Sequence, residues 1–380
     1  MKIDSLIWDL ESGWKFNREE ILNKSNATIL FVFGTAKAMK ENIFFKELRE
    51  MYPNALLVGG SSAGTIYEEE ILDNEIIVSA LHLEKSRVKL AIEEISDIKE
   101  SFNLGQKLIS KLSDSDLKHI IVLTDSININ GSMLVDGMNS VSNHIPISGG
   151  ILGEETQQFL NAYILADAPA RTSIMIGVGF YGEIESFYGS DSGWDHFGTE
   201  RTITKSTGNI VYEIDGEPAL DLYKKYLGDL ANQLPGSGLR FPLNIWNPES
   251  GEKPVIRTLM AVDEDRKCLT FIGNVPEGFK AKLMKTNIDG LIDGSENAIN
   301  QTGFVPEDSS AYCLAVSCIG RKLILDQLTE EELVVINEYV GEKVELSGFY
   351  SYGEIAPFSK ELKNCRFHNQ TMTITVITEN

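Results

Sequence analysis

The sequence predicts an α/β protein of two domains, built from repeated strand-helix-strand units with mixed β-sheets. Three features of its 380 residues lead there. Short runs rich in Ile, Val, Leu and Phe end at or near glycine, as strands buried on both faces do. Between them lie stretches whose apolar residues recur at helical spacing. The same order then returns: Gly34 and Gly59 have counterparts 90 positions on, at Thr124 and Gly149, and a third version closes the chain.

In the first unit, residues 27–33 (ATILFVF) read as a buried strand that ends at Gly34. An amphipathic helix follows with Ile43, Phe44, Leu48 and Met51 on one side. A second strand at 55–58 then enters the loop Gly59-Gly60-Ser61-Ser62-Ala63-Gly64. Residues 75–81 and 88–92 are two further strands joined by a charged turn. The second unit repeats this with a strand at 118–124, a helix carrying Met133, Leu134, Met138 and Val141, and a strand at 145–148 leading into Gly149-Gly150. Strands at 161–165 and 173–180 complete it.

The third unit opens with residues 311–318 (AYCLAVSC) as first strand. A helix begins at Thr329 with Glu332 three residues on, the spacing of a capping box, and Gly341 closes it. The stretch LSGFYSYGEI occupies the glycine-loop position, and residues 371–378 (TMTITVIT) alternate as a half-buried strand. Between the second and third units, Pro218 starts a helix whose apolar stripe includes Leu222, Tyr223 and Leu227, and Pro235 to Gly238 break it. Residues 255–262 and 268–272 read as a hairpin about Asp263-Glu264-Asp265. The division falls near 208–217, giving domains of 27–214 and 215–380.

Composition narrows the function. Acidic residues number 56 against 34 basic, a net charge of −22, which repels phosphate backbones and anionic lipid, so neither nucleic acid nor a membrane is an expected partner. The start has no apolar leader and no run approaches the length of a membrane span, which points to a cytoplasmic protein. Cys268, Cys313, Cys318 and Cys365 lack CxxC spacing and are expected as buried thiols; no metal motif is present.

Gly60-Ser61-Ser62-Ala63-Gly64 fits G-x-S-x-G, the turn that presents a hydrolase serine. That turn needs a helix directly after the serine. Only about ten residues separate Gly64 from the next strand, and the second unit has no serine in its loop. What the loops share is glycine, which suits unusual dihedrals or close backbone approach. With no nucleotide-binding or P-loop pattern either, the chain reads as a binding protein and not an enzyme. A serine hydrolase using Ser62 is the weakest alternative.

The stretches Cys318-Ile319-Gly320-Arg321, Gly348-Phe349-Tyr350-Ser351-Tyr352-Gly353-Glu354 and His368-Asn369-Gln370-Thr371 resemble the FIST family, as do Val58 to Ile66, Gly193-Trp194 and Asp215-Gly216-Glu217-Pro218. The resemblance implies a FIST N-terminal and a FIST C-terminal domain forming a sensory input of bacterial signal transduction. It implies a small ligand, an amino acid or similar metabolite, between the two domains. A stand-alone sensor would pass its signal to a partner such as a histidine kinase, cyclase or chemoreceptor. Some relatives resemble haem-dependent nitric oxide sensors, for which His196 or His368 would be the ligand. Gly60 and Thr65 stand where the family usually has Cys and Glu.

The expected ligand-binding residues are Gly59, Gly60, Ser61, Ser62, Gly64, Arg321, Tyr350, Tyr352, Glu354, His368 and Asn369. The tyrosines and Glu354 would form an aromatic, acidic wall able to hold an ammonium group, or else a packed loop between domains. Arg321 would clamp a carboxylate or form a structural ion pair. His368 and Asn369 would orient the ligand or fix a turn.

Overall fold

The buried apolar runs do become strands, and they assemble into three six-stranded sheets of one plan plus an eight-stranded sheet inserted between the second and third repeats. The computed structural model describes every residue except 157, 159, 252, 307–309 and 358–362. Each repeat centres on a parallel pair: Ile29–Gly34 with Leu56–Ser61, Leu117–Thr124 with Ile147–Ile151, and Ala311–Cys318 with Val344–Ser351. On the other side of each first strand lies an antiparallel neighbour: Ile76–His82, Ile174–Gly182 or Met372–Glu379. A parallel pair needs a crossover, and helices provide it. They are Ala36–Glu41 and Ile43–Met51 in the first repeat, Gly131–Val141 in the second, and Ile319–Leu325 and Glu331–Val340 in the third.

The repeats exchange strands. Just beyond its corner, Thr65–Tyr67 of the first repeat leaves to pair with Val344–Ser351 of the third. Gly353–Pro357 of the third pairs with Ile147–Ile151 of the second. Ile164–Ala166 of the second returns to Leu56–Ser61 of the first, which closes the ring. The sheets face one another across a shared interior where Phe31 stacks on Tyr312 at 4.9 Å and Phe33 meets Phe349 at 5.0 Å. Phe44 and Leu48, Leu134 and Met138, and Leu333 and Ile336 bury helix faces against the outer sides. Both faces of these sheets are therefore covered, which is why their strands read as unbroken apolar runs.

The structure departs from the sequence reading in several places. Gly59, Gly60 and Ser61 lie inside the strand Leu56–Ser61 and Gly149 and Gly150 inside Ile147–Ile151, not in loops after them, and the helix after Pro218 ends at Leu227, well before Pro235. Residues 255–262 are two strands, not one. Val255–Arg257 pairs with Leu243–Trp246, and only Leu259–Asp263 forms the hairpin with Cys268–Phe271. Thr329 does not cap its helix, because its hydroxyl donates to the Asp326 carbonyl and Glu330 takes the cap position. The GFYSYGE stretch is two strands with Tyr352 between them. Residues near the start, outside the predicted units, form Lys2–Asp9, which extends the first sheet against Ile76–His82. All four cysteines are free and buried, as expected. No helix among the described residues is long and apolar enough to cross a membrane.

Candidate functional site

The glycine corners are set by backbone contact. A Cβ on Gly59 would lie 1.9 Å from the Val32 carbonyl oxygen. On Gly149 it would lie 2.0 Å from that of Val122, and on Gly348 1.8 Å from that of Ala315. Glycine thus recurs because the second strand of each parallel pair presses against the first at the same point. Four residues on, Ala63, Gly153 and Tyr352 hold equivalent positions. They meet one another: a Cβ on Gly153 would be 3.1 Å from both the Ala63 Cβ and the Tyr352 ring. Ala63 N–H donates to the Tyr350 carbonyl at 3.1 Å and Tyr352 N–H to that of Ile151 at 2.9 Å. The corners of all three repeats therefore converge, and Tyr352 fills the point of convergence.

Most of the expected ligand residues are engaged within the protein. Ser61 Oγ donates to the Gly153 carbonyl at 2.7 Å and accepts from Tyr163 N–H at 3.0 Å. Ser62 Oγ donates to the Gly64 carbonyl and accepts from Gly64 N–H at 3.0 Å, a local turn bond. No helix follows it; Thr65–Tyr67 and Glu70–Leu72 are strands. Arg321 is fully buried in an ion pair: Nε donates to Glu332 Oε2 at 2.9 Å, and both Nη atoms reach the Ser192 and Leu291 carbonyls at 2.8 and 2.6 Å. Glu332 also accepts from Tyr350 Oη at 2.7 Å, so Tyr350 belongs to the same buried network. These bonds account for the structural ion pair; the guanidinium is turned to Glu332 and not toward the hollows beside Tyr352.

Glu354 is likewise buried. It accepts from Ser351 Oγ at 2.7 Å and Thr371 Oγ1 at 2.9 Å, and burial pushes its carboxyl from 4.5 up to about 7. His368 donates from Nε2 to the Ala356 carbonyl at 3.1 Å, and burial brings it down to about 4. Asn369 Oδ1 accepts from Thr258 N–H at 3.3 Å, tying the third repeat to the inserted sheet. His196 Nε2 lies 2.9 Å from Asn244 Nδ2 on the inserted sheet.

The hollows lie beside Tyr352, in the seam between the repeats and the inserted sheet. One, of about 290 Å³, is bounded by the 126–131 turn and Ile151 of the second repeat, Met260, Phe271 and Ile272 of the inserted sheet, and Tyr352 with Phe367. A second, of about 160 Å³, shares Met260, Ile272 and Tyr352 and continues toward Thr258 and Cys318. Gly59, Gly60, Ser61, Ser62, Gly64, Arg321, Tyr350, Glu354 and Asn369 line neither. Tyr352 lines both, and His368 borders a separate cavity of about 350 Å³ with Trp194 and His196. No charged side chain among the described residues borders the two hollows at Tyr352. Thr258, 2% exposed, has an Oγ1 without a hydrogen-bond partner among the described residues, although buried hydroxyls are normally paired.

Met260, Ile272 and Phe367 were not singled out from the sequence. Phe367 adjoins His368, and Met260 with Ile272 flank the hairpin turn, but apolar residues in strands carry no mark that separates cavity from core. The 126–131 turn had a weak signal in Asn130, which caps its helix by accepting from Met133 N–H at 3.0 Å.

Strand exchange around a three-cornered centre, with an inserted sheet closing over it, defines a two-part α/β protein whose sequence halves share one seam. Residues 28–217 match the FIST N domain and residues 219–357 the FIST C domain, and the chain belongs to the FIST family. Its domains are linked to small-ligand sensing. A relative from Methanocaldococcus jannaschii, the uncharacterized protein MJ1623, is 22% identical over 95% of this chain and 75% of its own length. Among solved structures, a cyanuric acid hydrolase from A. caulinodans aligns over 94% of this chain and 91% of its own, with a TM-score of 0.33 and 9% identity. Nothing about activity passes to this chain at that level of likeness.

Proposed function

We propose that the protein is a binding module for a small, uncharged and largely apolar ligand, held beside Tyr352 between the repeats and the inserted sheet. The observation that carries this is the pair of adjoining hollows at the one point where corners of all three repeats meet. Their walls come from both FIST regions: 126–131 and Ile151 from one, Met260, Ile272 and Tyr352 from the other. The Thr258 hydroxyl would complete its hydrogen bonding on the ligand. A free amino acid fits less well than the family resemblance suggests, since its ammonium and carboxylate would enter a lining without charged partners.

Signalling follows if the ligand prefers one placement of the inserted sheet over another, because only differential affinity shifts such an equilibrium. The reading favours binding over catalysis, and a separate signalling protein as recipient. A thermal-shift screen of neutral metabolites and amino acids tests it. At about 100 times its dissociation constant a ligand adds about 2.7 kcal/mol of stability. That gain should vanish in Met260→Trp, which fills the shared wall from a half-exposed position (50%) with little effect on the fold. A ligand that stabilises Met260→Trp as fully as the unmodified protein places its site elsewhere and refutes the assignment.

A further inference from the structure

A different cavity in the seam has the opposite electrostatic character. It measures about 160 Å³ and lies between the helix Gly131–Val141 and the strands Leu243–Trp246 and Val255–Arg257. Lys253, Arg257 and Arg366 border it, with Asp136 as the one acidic residue of the lining among the described residues. Over the whole chain acids outnumber bases 56 to 34, so the described lining of this cavity reverses the balance of the protein. Trp246 and Phe367 supply flat apolar walls, and Asn247 and Asn274 add amide groups.

Arg257 is the informative residue. It is 6% exposed, yet its hydrogen bonds all go to neutral oxygens: Nε to the Asn274 carbonyl at 3.0 Å, and Nη1 to those of Ile256 and Phe367, both at 3.0 Å. Nη2 reaches Ser132 Oγ only at 3.5 Å, which is long for a hydrogen bond. No carboxylate among the described residues makes an ion pair with Arg257 or with Lys253, the more distant Asp136 being the acid that acts on Arg257 through space. Burial lowers Arg257 to about 10, so it remains cationic at neutral pH. A buried cation without a contacting anion is costly. The guanidinium fork matches an oxyanion in shape and charge.

We propose that this cavity is a second binding site, which takes the carboxylate or phosphate group of a small molecule on Arg257 and Lys253. Nη2 of Arg257 presents N–H donors to the oxyanion, Lys253 closes on it from the exposed rim, and the remainder of the molecule lies against Trp246 and Phe367. The site does not depend on the reading of the hollows at Tyr352, although Phe367 is a wall common to both.

Isothermal titration of the full chain with inorganic phosphate and, separately, malonate at an ionic strength of about 20 mM tests the proposal, low salt being needed because screening weakens such contacts. One-to-one binding is expected for at least one probe, and the probe that binds identifies phosphate or carboxylate as the natural group. Arg257→Lys, which keeps the charge but loses the fork, should weaken it about tenfold, or about 1.4 kcal/mol. Lys253→Met, at an exposed position, should weaken it severalfold while leaving the thermal midpoint without anion unchanged. Met260→Trp should bind the anion like the unmodified protein, which separates this site from the one at Tyr352. Should neither probe bind at about 50 mM, or should Lys253→Met bind as well as the unmodified protein, the proposal is overturned.

Discussion

Replacing Glu354 by Gln should make the protein more stable at alkaline pH and leave it nearly unchanged in mild acid. The carboxyl is fully buried, and burial outweighs the hydrogen bonds from Ser351 and Thr371, moving it from 4.5 to about 7 in the folded chain. The folded state thus holds its proton more tightly than the unfolded state. Stability from this group is complete below 4.5 and is lost as pH rises through about 7. At 1.36 kcal/mol per pH unit the full loss is about 3 kcal/mol, of which about 1 has gone by pH 5. Gln keeps the size of the side chain and never ionises. The stability of Glu354→Gln relative to the unmodified protein should therefore grow by about 2.5 kcal/mol between pH 5 and pH 8, or about 3 °C in midpoint for a chain of this length. Other titrating groups are common to both proteins and cancel in the difference, which calorimetry at matched ionic strength would measure. Parallel midpoints for the two proteins across that range would show that the Glu354 carboxylate is not disfavoured in the fold.

Three further outcomes follow from the packing. Glu332→Gln strips the buried Arg321 of its counter-charge and should cost about 3–5 kcal/mol in urea unfolding, with Arg321→Met combined with Glu332→Gln costing less than the sum of the single changes. Gly59→Ala, Gly149→Ala and Gly348→Ala should each prevent soluble expression, whereas Gly236→Ala, with nothing within 4 Å of the added methyl, should leave the midpoint unchanged. Ser62, whose hydroxyl is tied to the Gly64 backbone, should resist a fluorophosphonate probe, as read by mass spectrometry of the labelled chain.

The repeats were readable from sequence because their central strands are buried on both faces. Ala311–Cys318 has the bounds that its run of apolar residues suggests, and Leu117–Thr124 differs by one residue. The recurrent glycines were also visible, and their cause, a carbonyl within 2 Å of any added Cβ, is local to each parallel pair. What was not readable depends on which strand visits which sheet. Thr65–Tyr67 is too short to announce a partner, and its partner Val344–Ser351 lies at the far end of the chain. The same limit applies to the site. Tyr352 was picked out by its motif and does border the hollows, but Met260 and Phe367 reach it only through the inserted sheet and a strand pairing. Arg321 stood out as a basic residue beside a strand. Choosing Glu332 as its partner among 56 acids needed the turn of the intervening helix.

The ring of lent strands makes each repeat a tenant of its neighbour. A polypeptide ending near residue 217 would carry Thr65–Tyr67 with no host and leave Ile147–Ile151 with a bare edge, the condition under which sheets stick to other chains. Two halves made as separate polypeptides would therefore become soluble only when produced together, each acting as the missing lodger of the other. By the same logic a cut in an exposed loop should leave the nicked molecule whole until denaturant releases both pieces at once.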